Sequence, residues 1–297
     1  MKLAKRAAWP DVVFSGLNYV VLLGFGLLTL YPFVNLLAIS LNDGLDSLRG
    51  GIYLIPRQFT LYNYVSIFQN DGLLKAAGMS VARTLLGTLL GVLGTAMVAY
   101  SLSRRDFVLR KPLNVIIVFT MFVNAGLLPF YLLIRDLGLM NQFWVYILPG
   151  LISAYNVIII RSYFESLPDG IVESARMDGA SEFQTLFRIV LPVSMPVVAT
   201  VSLFIAVGHW NAWFDNYLYT SSNENLDVLQ FELMKILQTT QGQVVNGNNG
   251  AAAAVKGMDP DATRAAMTMI VSLPILCVYP FLQKYFVKGI MVASMKE

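Results

Sequence analysis

Long apolar intervals separate the charged residues of this chain and give its first layer of structure. Six intervals carry no Asp, Glu, Lys or Arg: between Asp11 and Asp43, Arg83 and Arg104, Lys111 and Arg135, Asp136 and Arg161, Arg188 and Asp215, and Arg264 and Lys284. A helix needs about 20 mostly apolar residues to cross a hydrocarbon core roughly 30 Å thick. Each interval is long enough, and together they predict spans at 17–41, 84–103, 112–134, 140–160, 192–213 and 265–283. A seventh interval, from Lys235 to Lys256, contains ILQTTQGQVVNGNNGAAAAV. Its amides and glycines would lack polar partners in hydrocarbon. It is therefore expected in a loop, within an outer connection at 215–264 that is long and polar enough to be mobile.

Composition agrees with this pattern. The chain has 297 residues, of which 56% are hydrophobic and 13% charged, where soluble domains average about 25% charged. The expected fold is all-α, a single transmembrane domain over 1–297. Thirteen Lys and Arg fall on the side holding both ends of the chain, including Lys2, Lys5, Arg6, Arg104, Arg105, Arg110 and Lys111; eight, spread over longer loops, fall on the other. The positive-inside rule then places both termini in the cytoplasm. The apolar run after Arg6 continues to Leu41, too long for a cleaved signal and without a small-residue cleavage site, so it is expected to be a retained anchor helix. Pro32, Pro129, Pro192, Pro196, Pro274 and Pro280 fall in or beside spans, where neighbouring helices can re-satisfy freed backbone groups. Gly87 and Gly91 form a GxxxG, a spacing that permits close helix packing.

Catalytic equipment is scarce. With one cysteine, Cys277, and one histidine, His209, an internal disulfide, a cysteine-based zinc site and most histidine-dependent chemistry are excluded. No glycine precedes a lysine, so there is no G-x-x-x-x-G-K-[ST] phosphate loop. An ion-coupled transporter normally buries ionisable relays in its spans, and the predicted spans contain no Asp, Glu, Lys or Arg. The chain is expected not to be an enzyme and to bind no metal.

The most informative segment is Ser166–Pro192, SLPDGIVESARMDGASEFQTLFRIVLP. Ser166 with Asp169 predicts one helix start and Ser181 with Gln184 another; Gly179 suits a left-handed stop between them. Phe183, Leu186, Phe187 and Val190 make an i, i+3, i+4, i+7 stripe. By these signals alone, an amphipathic connector on the membrane surface explains the segment equally well.

The order Glu173-Ser174-Ala175-x₃-Gly179-x₉-Ile189-x-Leu191-Pro192 resembles the EAA loop of ABC importer permeases, with Ser174 in place of an alanine. Gly126–Gly150 and the ending KYFVKGIMVASMKE are similar to the maltose-type branch of carbohydrate-uptake permeases, and the likeness covers most of the chain. The resemblance implies the six-helix permease fold with a cytoplasmic coupling helix in the bacterial cytoplasmic membrane. It implies four kinds of partner: a second homologous permease, two ATPase subunits, an extracytoplasmic solute-binding protein, and a sugar or oligosaccharide cargo. ATP and Mg would sit on the ATPases, leaving this chain without a cofactor. Glu173, Ser174, Ala175, Arg176, Asp178 and Gly179 would dock on the ATPase. The tail, Lys288–Glu297, would reach the same interface, although it ends in Lys-Glu where relatives often end in Lys-Gly. The outer loop could enter the binding protein's cleft or serve only as a connector.

Sugar sites favour aromatic faces with amides and hydroxyls. The candidates for the substrate path are Asn124, Tyr155, Asn156, Trp210, Asn211 and Asn216, with His209 and Trp213 beside them in GHWNAWFDNYLY. An interfacial aromatic belt and interhelical hydrogen bonds account for the same residues. A permease or channel for a non-sugar solute, an ion-coupled secondary transporter and a membrane-embedded enzyme are the competing classes; a bare channel does not explain the EAA pattern.

Overall fold

The structure, a computed structural model, describes residues 9–69, 71–245 and 260–294, with side chains over 13–69, 71–238 and 261–278. Lys2, Lys5 and Arg6, residues 246–259 of the expected outer loop and the last three residues of the tail lie outside the described residues. The described backbone is helical, with one isolated bridge between Asn42 and Phe59. The chain divides into two compact units, Met1–Gln69 with Ile236–Val271, and Asn70–Lys235 with Ser272–Glu297.

The first unit is built on α1, Trp9–Ser40, with α2, Gly44–Ser47, and α3, Tyr62–Phe68. Side chains from Phe14 to Leu30 on α1 are exposed on every face. A helix apolar all round is stable only when lipid or other helices surround it. After α1 the chain turns on polar side chains. Asp43 caps α2 by accepting from the N–H groups of Leu45 and Asp46. Buried Asn42 donates to Asp46 at 3.0 Å and accepts from the Gln58 N–H at 2.8 Å. Arg57 donates to Asp46 at 3.0 Å, so the buried carboxylate is paired.

The second unit is organised around α4, Asp71–Ser103, which packs against α11, Met195–Asn211, and α7, Ala154–Glu165. Ala99, Tyr100, Val157, Ile160, Val190, Val198 and Val201 form its larger core. The two glycines of α4 set the approach of α11. A Cβ on Gly87 would lie 2.4 Å from Nε2 of His209, and one on Gly91 would lie 3.3 Å from Ile205. Only glycine admits the imidazole against the helix at position 87. A second core joins Ile134, Val145, Tyr146, Ile147, Tyr219, Val228 and Phe231.

Among the described residues, three helices are long and apolar enough to cross a membrane: Val13–Ser40, Asp71–Ser103 and Asp261–Val278. Two bent pairs bring the number to five if each is one span. The expected span 112–134 is the first of these pairs, α5, Arg110–Phe122, followed by α6, Leu127–Asp136, at 119°. The break forms where Gly126, at φ +86°, takes a backbone conformation closed to most side chains. The expected span 192–213 is bent by 89° at Ser194. Pro196 follows two residues later; its ring displaces helical hydrogen bonding one turn back.

Span 140–160 is corrected most. It contains a 3₁₀ turn, Phe143–Tyr146, then irregular chain, and α7 begins only at Ala154. The expected second span, 84–103, begins earlier, at Asp71, which makes Arg83 an interior helical residue. The outer connection 215–264 is not simply a loop: it carries α12, Phe214–Tyr219, a 3₁₀ turn Glu224–Leu226, and α13, Leu229–Val245. Helix α14, Pro260–Ser294, spans the expected 265–283 and continues into the tail.

The segment 166–192 forms two short helices. α8 is Asp169–Met177, preceded by Pro168 rather than capped by Ser166. α9 is Glu182–Thr185, followed by a π-helical stretch Leu186–Val190 and by α10, Leu191–Val193.

Candidate functional site

Two clusters of polar side chains lie about 26 Å apart along α4, the rise of the 17 residues from Arg83 to Tyr100. The first lines a cavity of about 450 Å³ within the second unit. Arg83 is buried and makes a two-pronged ion pair with Asp215; its Nη1 donates to Asp215 Oδ1 at 3.1 Å and to the Ala212 carbonyl at 3.1 Å. Its guanidinium carbon stands 4.5 Å from the centroid of the Tyr146 ring. Nε of Arg83 is buried without a partner. His209, Asn156, Phe130, Phe214 and Tyr219 complete the polar and aromatic lining.

This cavity is held by a buried network behind it. The Tyr146 hydroxyl shares a 2.6 Å hydrogen bond with Thr220 and donates to the Leu226 carbonyl at 2.7 Å. Asn216 donates to Thr220 and to Asp227, both at 2.9 Å, and accepts from the Val228 N–H at 2.7 Å. Ser80 on α4 accepts from the Leu229 N–H at 2.8 Å. Buried polar networks of this kind fix a unique geometry when their members are satisfied. Lys235 lies 2.6 Å from Asp227 and 2.7 Å from Glu232. Burial works against its charge, but both acceptors outweigh it and raise the ammonium above the usual lysine range.

The predicted path residues divide. Asn156 lines the cavity. Asn216 is fully buried and lies in the supporting network. Trp210 lines a separate apolar groove with Leu85, Leu203 and Pro274. Tyr155 and Asn211 are exposed, and Asn124 accepts from the Gly126 N–H at 2.9 Å, part of the turn that breaks the third span. Trp213 and Tyr219, unlike Trp210, belong to the second core. Sequence reasoning missed Arg83 and Asp215 because each charge served to mark the end of a span. The available signal was their company: both stand beside spans rich in glycine, His209 and aromatics.

The second cluster surrounds the 166–192 segment. Val172 and Ala175 of α8 are buried, while Glu173, Ser174, Arg176, Asp178 and Gly179 are exposed. Gly179 adopts φ +78°, and the Ala180 N–H reaches the Ala175 carbonyl at 3.0 Å. This is the Schellman ending, for which glycine is the favoured residue. Ser181 and Gln184 form a reciprocal capping box on α9. Of the predicted stripe, Leu186 and Val190 are buried, but Phe183 is exposed and stacks on Phe187 at 6.4 Å. The π-helical turn between them shifts the register of the stripe.

Arg176 is already paired within the chain, 2.7 Å from Asp106 and 2.8 Å from Glu182, and Tyr100 donates to Glu182 at 2.7 Å. The hydrogen bond from Arg176 holds the Asp106 carboxyl below the usual carboxylate range, and the same bond raises Arg176. Asp106 and Tyr100 are further members that the sequence pattern did not indicate. These groups, with Met97, Phe107 and Phe183, line an open recess of about 310 Å³. Among the described residues no three His, Cys, Asp or Glu side chains converge as metal ligands.

Residues 73–292 match the family model described as binding-protein-dependent transport system inner membrane component. The chain is 35% identical over 287 residues to the polygalacturonan/rhamnogalacturonan transport system permease protein YtcP of Bacillus subtilis (strain 168), covering 96% of this chain and 98% of that one. It is 36% identical over 285 residues to Protein LplC of the same organism, covering 96% and 95%. Among solved structures it is similar to a chain of a bacterial ABC transporter involved in the import of the acidic polysaccharide alginate. The TM-score is 0.84 at 28% identity, covering 95% of this chain and 100% of that chain.

Proposed function

The chain belongs to the family of binding-protein-dependent transport system inner membrane components, and from that premise we propose that it is a channel-forming permease subunit of an ATP-driven importer of oligosaccharides. The cargo class follows the relatives: YtcP is named for polygalacturonan and rhamnogalacturonan, and the similar solved transporter for alginate. A second permease would complete the pathway, two separate ATPases would supply the work, and a solute-binding protein would deliver the sugar. With both termini and the 166–192 segment in the cytoplasm, the cavity at Arg83 and Asp215 lies toward the outer end of α4.

The observation that carries the reading is the exposed face of α8. The residues matching the EAA pattern form a short helix that buries Val172 and Ala175 and leaves Glu173, Ser174 and Asp178 outward before the Gly179 turn. That arrangement suits insertion into a cleft of another protein. α8 passes its position to α4 through the Arg176–Glu182–Tyr100 links, so movement of the docked helix reaches the element that carries Arg83.

Reconstitution tests this reading. Liposomes containing this chain, its partner permease and ATPases, with the binding protein outside, should accumulate labelled oligosaccharide only when ATP is enclosed. Uptake that persists without ATPases or binding protein would point to an ion-coupled carrier or a channel instead.

A further inference from the structure

The cavity at the outer part of α4 has an unusual charge arrangement. Arg83 and Asp215 are the charged groups of its lining, and they face each other. The arginine side chain is 3% exposed, the aspartate 24%. A carboxylate offers roughly four lone-pair positions. Oδ1 of Asp215 accepts from Arg83 Nη1 at 3.1 Å and from the Asn216 N–H at 3.0 Å, and Oδ2 accepts from Arg83 Nη2. One acceptor position is left on the partly exposed carboxylate, and the cation beside it is enclosed. The pair is neutral, and Asn156 and the aromatic rings of Phe130, Phe214 and Tyr219 lie around it.

Resting on the oligosaccharide reading above, we propose that Asp215 is a specificity-determining residue that accepts hydrogen bonds from sugar hydroxyls, and that Arg83 is a positioning residue that holds the Asp215 carboxylate in place and aimed. The site therefore recognises the hydroxyl-bearing face of a sugar ring. A carboxylate brought there would meet an anion whose counter-charge is enclosed. Acidic groups on a cargo must be seated elsewhere in the pathway, and this chain's cavity reads the ring independently of them.

The test uses the assembled transporter in nanodiscs without its binding protein. Two radiolabelled probes are compared by equilibrium dialysis: trigalacturonate and its carboxyl-reduced counterpart, galactotriose. The wild type should bind both with dissociation constants within about threefold, well under the tenfold that corresponds to one strong charged contact. Asp215→Asn should weaken both by about tenfold or more, the loss expected for a hydrogen bond to a charged acceptor. Because removing one charge of a buried pair can also disturb folding, the double variant Arg83→Met with Asp215→Leu is the deciding one. Apolar replacement of both partners of an ion pair is tolerated when the pair serves structure alone. Weak binding by a double variant that still assembles supports the proposal, and recovery of wild-type binding overturns it. Trigalacturonate binding far tighter than galactotriose would overturn it too, by showing a cation available to the cargo. A wild type that neither binds nor imports either probe would instead overturn the oligosaccharide reading itself.

Discussion

The two charged clusters on α4 differ in how they are held. Around Arg83, the guanidinium, the Tyr146 ring and the Asn216–Asp227–Thr220 network are packed away from solvent, and only the Asp215 carboxylate is partly open. Around Arg176, the side chains of Arg176, Asp106 and Glu182 are 38%, 55% and 54% exposed. Burial makes the first arrangement costly to break, because a lone charge left behind has no water to turn to. Exposure makes the second inexpensive to rearrange, because water replaces each partner. One helix thus joins a rigid cavity to a loop that can exchange its contacts, a division that suits the proposed function, in which a docked helix drives the cavity.

Four changes break or sharpen that contrast. Asp215→Leu alone should have the largest effect on stability. It leaves the buried Arg83 guanidinium uncompensated, at a cost of about 3–5 kcal/mol, read as a loss of denaturant or thermal resistance in purified protein. Gly87→Leu comes next. It drives side-chain atoms into the space of the His209 ring, and such overpacking costs about 1–3 kcal/mol. His209→Ala on that background should recover part of the loss in a double-mutant cycle. Arg176→Ala should cost about 1 kcal/mol or less and should lose even that in high salt.

The smallest effect is one of pH. Asp106 is held below its usual range by Arg176. Its contribution is therefore present above the unfolded carboxylate value, near 3.8, and fades as pH falls through the lower folded value. The stability gap between wild type and Arg176→Ala should stay constant from pH 8 to about 5 and close in stronger acid. A gap that widens on acidification would contradict the assignment.

Much of the loop end was legible because its signals are local. Ser181 with Gln184 and the turn at Gly179 require only neighbouring residues, and both form as the spacing predicts. Gly87 and Gly91 marked a close contact, though not its partner His209. The cavity was less legible because its members come from α4, the 143–146 turn, α11 and α12. Treating every charge as the end of a span placed Arg83 and Asp215 at boundaries, and hid that α4 runs twelve residues beyond Arg83. Apolar length also cannot distinguish a continuous helix from chain broken at Gly126, at Ser194 or through 147–153, since burial against neighbouring elements stabilises both. The π-helical turn at 186–190 is a tertiary effect that no heptad-like stripe could foretell.

In the proposed function, work enters the chain at α8. Gly179→Leu alters that point without crowding it, for apart from its own chain neighbours nothing lies within 4 Å of the position a Cβ would take; the strain comes from the positive φ. Uptake and ATP hydrolysis measured side by side in the reconstituted transporter give the direct test. Normal insertion and continued hydrolysis with uptake reduced by at least about tenfold, equivalent to 1.4 kcal/mol of lost coupling, is the predicted result. Uptake that keeps its wild-type ratio to hydrolysis would contradict it.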